Sequence, residues 1–180
     1  MAETAQLPAR TVVLHADITT LDVAAIVNAA NSALAGGGGV DGAIHRAAGT
    51  RELLEACRPL SPCPTGEARL TPGFRLKARH IIHTVGPVWQ GGSHGERGLL
   101  GKCYRSSLEI ADAQRIEDIA FPGISTGIYR FPLREACDIA AREVTTWLAG
   151  HAWPRTVVFC MFDTIAYDEM VRALGAASPT

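Results

Sequence analysis

The chain has 180 residues, 47% of them hydrophobic and 19% charged, with a formal net charge of −1. A chain of this length buries roughly 70% of the surface it exposes when unfolded, enough for a core without disulfide or metal staples. The near-neutral balance excludes the basic footprint expected of a duplex nucleic-acid binder, and no apolar run reaches membrane-spanning length.

Five scattered cysteines (Cys57, Cys63, Cys103, Cys137 and Cys160) form no CxxC pair and join no Cys/His cluster of zinc-ligand spacing. Their number and placement suit free thiols in a reducing compartment. The segment "MAETAQLPAR" lacks a secretory pattern, so a cytoplasmic location is expected, with no membrane association.

In chain order, the β-branched stretch Thr11–Asp17 predicts a strand, and Ala24–Ala30, carrying Ile26 and Val27, a second that enters a loop at Asn28. After Gly36-Gly37-Gly38-Gly39, helices are expected over Val40–Ala48 and Arg51–Arg58. A Pro-rich surface connection, "CRPLSPCPTG", follows. "EARLTPG" and "RHIIHTVGP" read as two further strands. Apolar residues recur at helical spacing over Leu99–Ala111, and "IEDIAFPGIS" reads as a strand ending in a loop. Pro132 is expected at the first helical position of the next helix, where its missing N–H costs nothing. Its inner face would be Leu133, Ala136, Cys137, Ala140, Val144 and Trp147, with Gly150 as the stop. "RTVVFCMF" closes the strand set and Ala166–Leu174 is a last helix.

Strands alternating with helices predict one α/β domain, a largely parallel or mixed sheet covered on both faces. Its core runs over about residues 11–175, with the tails Met1–Ala9 and Ala176–Thr180 expected to be loose. Ligands of such sheets bind beyond the carboxyl ends of the strands. Three features fall there: Asn28–Asp41, Gly123–Arg130 and Phe162. Glycine tolerates positive φ and close backbone approach, and a helix N-terminus near Asp41 favours negative charge. "GISTGIYRFP" repeats the logic before the Pro132 helix. Two N–H-rich turns facing each other can clamp a diphosphate. Asn28, Asn31 and Asp41 beside that cradle are groups that hold sugar hydroxyls, which suggests a sugar–diphosphate ligand. A P-loop finds little support, because Val40-Asp41-Gly42 follows the glycines, with no Lys and no Mg²⁺-binding hydroxyl. A dinucleotide fingerprint is matched only loosely, with no properly placed ribose acid.

The motifs "DIT" (Asp17–Thr19), "IVNAANS" (Ile26–Ser32), "GGGGVDGAIHRAAG" (Gly36–Gly49), "HTVGPVW" (His83–Trp89) and "FPGISTGIYRFP" (Phe121–Pro132) resemble the macrodomain family, in order, from about Thr11 to Arg172. The MacroD-type branch, which includes bacterial O-acetyl-ADP-ribose deacetylases, is most similar. The resemblance implies a three-layer α/β/α sandwich around a mixed sheet, with ADP-ribose as ligand. It implies a hydrolase that removes ADP-ribose from mono-ADP-ribosylated acidic side chains, deacetylates O-acetyl-ADP-ribose, or both. Asp17 would accept from the adenine amino group, the Ile18 N–H would donate to the ring, and Phe162 would stack on it. The backbone of Gly38, Gly39 and Val40 would hold one phosphate, and Ser125, Thr126, Gly127, Ile128 and Tyr129 the other. Asn31 and Asp41 would contact the distal ribose and carry catalysis. Asn28 would shape the loop as much as touch the ligand. Ala16 and Arg130 depart from the pattern, each standing where glycine is common. Arg130 could clasp the pyrophosphate or lie outward in solvent.

Glycosidic hydrolysis usually employs two carboxylates, and the first loop offers only Asp41, so a ligand phosphate is expected to share the proton work. No metal and no cofactor are expected: His80 and His83 lie three apart on a strand, on opposite faces, and read as packing or hydrogen-bonding residues. His45 reads as structural, Trp89 as lining the pocket or edging the core, and Tyr129 as lining the pocket. Two other readings stand beside the hydrolase: a non-catalytic ADP-ribose reader, and a generic nucleotide- or phosphoester-processing enzyme. The expected partners are ADP-ribose, O-acetyl-ADP-ribose and mono-ADP-ribosylated proteins. Nucleic-acid ends are not indicated, and a monomer is the default state.

Overall fold

A computed structural model describes residues 7–177. Six strands and five α-helices alternate along them. The strands are β1 (Thr11–His15), β2 (Ala25–Ala29), β3 (Ala68–Pro72), β4 (His80–Thr84), β5 (Asp118–Phe121) and β6 (Thr156–Met161). The helices are α1 (Gly39–Ala48), α2 (Thr50–Cys57), α3 (Glu96–Ala113), α4 (Leu133–Gly150) and α5 (Thr164–Ala177).

The strands form one sheet in the order β1-β6-β5-β2-β4-β3, parallel throughout except for the antiparallel edge pair β3–β4. Period-two alternation splits each strand between two cores. Val27, Ile82, Ile119, Phe121, Val157 and Phe159 join buried residues of α3, α4 and α5 on one face. Ile26, Ile81, Ala120, Val158 and Cys160 join Ile44 and Ala48 of α1 and Leu53 and Cys57 of α2 on the other. The result is the expected three-layer α/β/α sandwich with a mixed central sheet. Nearly continuous Ile/Val runs in the central strands follow from burial on both faces.

The crossovers place the functional loops. From β2 the chain leaves through α1 and α2 to the edge strand β3 and returns antiparallel as β4 beside β2; from β5 it leaves through α4, on the opposite face, and builds outward to β6. The strand order therefore switches direction between neighbouring β2 and β5, where a crevice opens beyond their carboxyl ends. The N-termini of α1 and α4 flank it from opposite faces.

Several boundaries differ from the sequence expectations. Strand β1 ends at His15, and Asp17 instead caps a 3-10 turn over Ile18–Thr20, its Oδ1 accepting from the Thr19 N–H at 2.9 Å. Pro132 is the N-cap of α4, with extended ψ of 123°, and Leu133 is the first helical residue. Leu148 is buried in the α4 face where Trp147 was expected; the Trp147 ring lies at its edge, stacked on His151 at 3.7 Å. Gly150 is the last residue of α4 rather than its stop. Within the described part of the expected tails, Leu7 packs on the core, Pro8 accepts from the Thr11 N–H, and Ala176 and Ala177 lie within α5. Residues 1–6 and 178–180 lie outside the described residues. Among the described residues no helix is long and apolar enough to cross a membrane.

Candidate active site

The four glycines after β2 divide into two pairs. Gly36 and Gly37 lie flat on the helix they precede: a Cβ on Gly36 would stand 3.5 Å from the His45 ring, and one on Gly37 3.4 Å from Asp41 Oδ2. Gly42, one turn into α1, completes this contact, since its own Cβ would stand 2.3 Å from the Gly37 carbonyl oxygen. Gly38 and Gly39 face open space, with nothing within 4 Å of a Cβ at either. Gly39 has φ +58°, the left-handed region that glycine adopts without penalty. Gly38 is the N-cap and offers no side-chain cap, so the first amides of α1 have no partner among the described residues.

Asn31 shapes this loop with both ends of its amide: Nδ2 donates to the Gly36 carbonyl at 2.8 Å and Oδ1 accepts from the Ala35 N–H at 3.2 Å. Asn31 and Asp41 thus meet on either side of Gly37. Asn28 stands behind them, fully buried on β2, and donates from Nδ2 to Asp41 Oδ1 at 2.8 Å. The loop-shaping half of the Asn28 expectation is what the geometry supplies; it reaches the crevice through Asp41 and presents no surface of its own.

Asp41 is 6% exposed. Its Oδ1 faces two groups, Asn28 Nδ2 and, one turn along the helix, His45 Nε2 at 3.3 Å. Among the described residues Oδ2 has no hydrogen-bond partner. The carboxylate is therefore anchored through one oxygen and open through the other. His45, read from sequence as structural, lies directly against the acid, and its four-residue spacing from Asp41 was the available signal.

After β5, Ser125 and Arg130 both hold positive φ, 63° and 60°. Arg130 N–H donates to Gly127 carbonyl and Phe131 N–H to Ser125 carbonyl, closing a compact loop. Within it, the N–H groups of Thr126, Gly127, Ile128 and Tyr129 have no partner among the described residues, and Ile128 is 89% exposed at the tip. The Ser125 hydroxyl is buried without a partner. Like α1, α4 begins without a side-chain cap. The Arg130 guanidinium is exposed and unpaired among the described residues.

A neighbouring loop braces this one. Trp89 N–H donates to the Tyr129 carbonyl at 2.8 Å, and the Trp89 ring packs on Phe131 at 4.8 Å and on the core, so Trp89 is a core-edge residue. The loop itself is gathered around the Glu96 carboxylate, which accepts from the N–H groups of Gln90, Gly92 and His94. Burial would raise the Glu96 pKa, but these amides and its own N–H outweigh it and hold the group down to about 2.

At the far end of the crevice, β1 and β6 bring Asp17, Ile18 and Phe162 together. Phe162 is 84% exposed, and its carbonyl lies 3.1 Å from His15 Nε2. Ile18 is buried under the turn that Asp17 caps. Ala16 takes an ordinary negative-φ conformation and donates its N–H to the Met161 carbonyl, so no glycine is required there.

The sequence reading of His83 as a hydrogen-bonding residue is also met. It is fully buried, with Nδ1 3.1 Å from Asn28 Nδ2 and Nε2 2.9 Å from Thr71 Oγ1. Burial, then the nearby His45, push its pKa down to about 4, against the opposing pull of Asp41. Thr71 carries no local sequence signal of this role. Among the described residues no group of three or more His, Cys, Asp or Glu is placed to hold a metal ion.

The site is thus an α/β sandwich's switch point flanked by two helix N-termini without side-chain caps, with one half-free carboxylate between them. The family follows from comparison with known proteins. The Macro domain matches residues 27–140. A Macro domain-containing protein of Mesorhizobium japonicum is 59% identical over 160 residues, covering 89% of this chain and 90% of the relative. The O-acetyl-ADP-ribose deacetylase of Salmonella gallinarum is 50% identical over 174 residues, 94% of each chain. A mutant of the Oceanobacillus iheyensis macrodomain, solved with ADPR (ADP-ribose), superposes with a TM-score of 0.87 at 40% identity, covering 91% of each chain. The chain belongs to the macro domain family.

Two substitutions separate the glycine roles. Gly42→Ala forces its Cβ against the Gly37 carbonyl and is expected to destabilise the protein by about 1–3 kcal/mol in urea denaturation. Arg130→Gly is expected to stabilise it by up to about 1 kcal/mol. Relief of ~1–2 kcal/mol of left-handed strain there exceeds the ~0.4–1 kcal/mol of added unfolded-chain entropy.

Proposed function

We propose that this protein binds ADP-ribose along the crevice and hydrolyses its acyl esters, releasing it from mono-ADP-ribosylated acidic side chains or from O-acetyl-ADP-ribose. The single observation that carries the reading is Asp41, anchored through Oδ1 with Oδ2 free, at the start of a helix whose amides have no cap. The adenine lies between Asp17, Ile18 and Phe162. Its diphosphate spans the amides of Gly38, Gly39 and Val40 and those of Ser125 to Tyr129. Each uncapped terminus contributes about 0.3–1 kcal/mol toward a nearby anion through the helix dipole, in addition to direct N–H donation. The distal ribose then falls beside Asn31 and Asp41. This reading is supported by relatives solved with ADPR and named O-acetyl-ADP-ribose deacetylase.

In the reaction, Asp41 Oδ2 accepts a proton from water as the water oxygen attacks the ester carbonyl or the anomeric carbon. The ester C–O bond breaks at the attacked carbon. The proton passes to the departing oxygen, assisted by a ligand phosphate. Free amides aimed at the ligand stabilise the developing negative charge without reorganising. No step in this scheme draws on a metal or a cofactor. The protein acts in the cytoplasm as a monomer in this reading.

The test is release of ADP-ribose from a glutamate-linked mono-ADP-ribosylated protein. The Asp41→Asn variant should keep free ADP-ribose affinity and lose at least about 100-fold in turnover, the lower range for removal of a general base. Turnover within a factor of three of wild type would remove Asp41 from the mechanism. Tight binding without release by the wild type would make the protein a reader.

A further inference from the structure

The hydrogen bonds behind Asp41 form a continuous chain across three strands. Asn28 on β2 and His83 on β4 are register partners in the parallel pair, so their side chains stand next to each other on the α1/α2 face. Thr71 on β3 lies two residues from Arg69, the register partner of His83, and so presents its hydroxyl on that face too. Thr71, His83, Asn28 and Asp41 are 2%, 0%, 0% and 6% exposed. The contacts run Thr71 Oγ1–His83 Nε2 at 2.9 Å, His83 Nδ1–Asn28 Nδ2 at 3.1 Å and Asn28 Nδ2–Asp41 Oδ1 at 2.8 Å. From this geometry we propose that His83 is a positioning residue for Asp41: through Asn28 it sets which oxygen of the carboxylate is tethered and which is left for water. The inference rests on the hydrolase reading above.

Proton direction makes the chain specific. A carboxylate oxygen only accepts, so the Asn28 amide must turn its NH₂ toward Asp41. That NH₂ has one further hydrogen, and it points at His83 Nδ1, which must then be unprotonated and accept. A neutral imidazole with a bare Nδ1 carries its proton on Nε2, where it donates to Thr71 Oγ1. A flipped Asn28 amide would set oxygen against oxygen at Asp41 and leave His83 Nδ1 without a donor. One sense therefore satisfies every contact from Thr71 to Asp41, with Asn28 Oδ1 buried and without a partner among the described residues. The groups around His83 leave this sense intact. Cys57 of α2 has its Sγ 3.9 Å from Nε2 and is pushed up to about 11, mainly by burial and then by Asp41, so it stays a neutral thiol. His45 of α1 faces the His83 ring at a centroid distance of 6.5 Å and makes its own contact with Asp41 Oδ1. The Arg69 guanidinium is turned away to Glu67 and the Leu60 carbonyl.

Without His83 as acceptor, Asp41 alone holds the Asn28 amide in this sense, and the donor that acts with His45 to tether Oδ1 is less firmly fixed. Ligand affinity would be spared, because the phosphate-facing amides belong to other segments. The role is thus separable from binding, as a purely structural role would not be.

The experiment compares His83→Phe, which fills the ring volume without an acceptor, with His83→Gln, which presents both an acceptor and a donor. Thr71→Val removes only the outermost hydroxyl. His83→Phe should keep ADP-ribose affinity within about threefold, measured by calorimetry, and lose at least tenfold in kcat for release from the glutamate-linked protein. His83→Gln should recover most of that loss, and Thr71→Val should lower kcat about threefold at unchanged affinity. The inference is overturned if His83→Phe retains kcat within twofold, or if His83→Gln is as impaired as His83→Phe. Should His83→Phe fail to fold, Thr71→Val and His83→Gln decide alone: wild-type kcat in the first or a tenfold loss in the second overturns it. A readout independent of turnover is nitrogen NMR of the imidazole in the wild type, where protonated Nε2 and bare Nδ1 are expected. A protonated Nδ1 would defeat the tether even in an active enzyme. An inactive wild type with the expected tautomer would instead overturn the hydrolase reading, and the Asp41 carboxyl carbon resonance, shifted by Thr71→Val or left unmoved, would then judge the tether.

Discussion

The candidate site depends on one close approach, the Gly37 carbonyl against Gly42 at the start of α1. It holds the loop after β2 flat on the first turn of the helix and aims two consecutive backbone segments, Gly36-Gly37 and Gly38-Gly39, in different directions. The first pair covers Asp41 and His45; the second opens onto free space. A side chain at position 42 would lift the loop off the acid it encloses, and one at position 36 would be strained by its φ of 77°. Four glycines in a row, each losing more backbone entropy on folding than any other residue, are stabilised here by what the loop contacts.

Charge is handled in the same economical way. The crevice is lined by amides, a few polar side chains and one carboxylate, with the exposed Arg130 at its rim. Dipoles and N–H groups supply attraction to an anion without the broad positive field that a lysine patch would create. That is consistent with a net charge of −1 for the whole chain. The carboxylate is confined from behind by Asn28 and His45, so its freedom is spent on one oxygen. Bracing by Trp89 and the Glu96 loop extends the same order to the segment after β5.

Much of this was legible in the sequence because it is local. Alternation of β-branched runs with helical spacing specified the layers, and Gly36–Gly39 and Gly123–Gly127 marked the two loops that flank the crevice. Asp17 and Phe162 were placed correctly at strand ends, although β1 stops two residues before Asp17 because that residue caps a turn. Residues near element ends were harder. Pro132 suits the N-cap and the first helical position almost equally in sequence, and Trp147 and Leu148 compete for one buried direction. Partnerships across the sheet were the least visible. That Asn28 stands beside His83 follows from the β2–β4 register, and Thr71 joins them only because β3 runs antiparallel. No local pattern carries those facts. Arg130 shows the converse: its φ of 60° explains physically why glycine suits that position, which motif likeness alone could not.

The most direct measurement of the central claim is a nitrogen–proton correlation spectrum of the labelled protein titrated with ADP-ribose. If two uncapped helix N-termini share the diphosphate, the amides of Gly38, Gly39 and Val40 and those of Gly127, Ile128 and Tyr129 shift together along one saturating curve. Saturable shifts confined to one of the two loops, or lying elsewhere on the sheet, would contradict it.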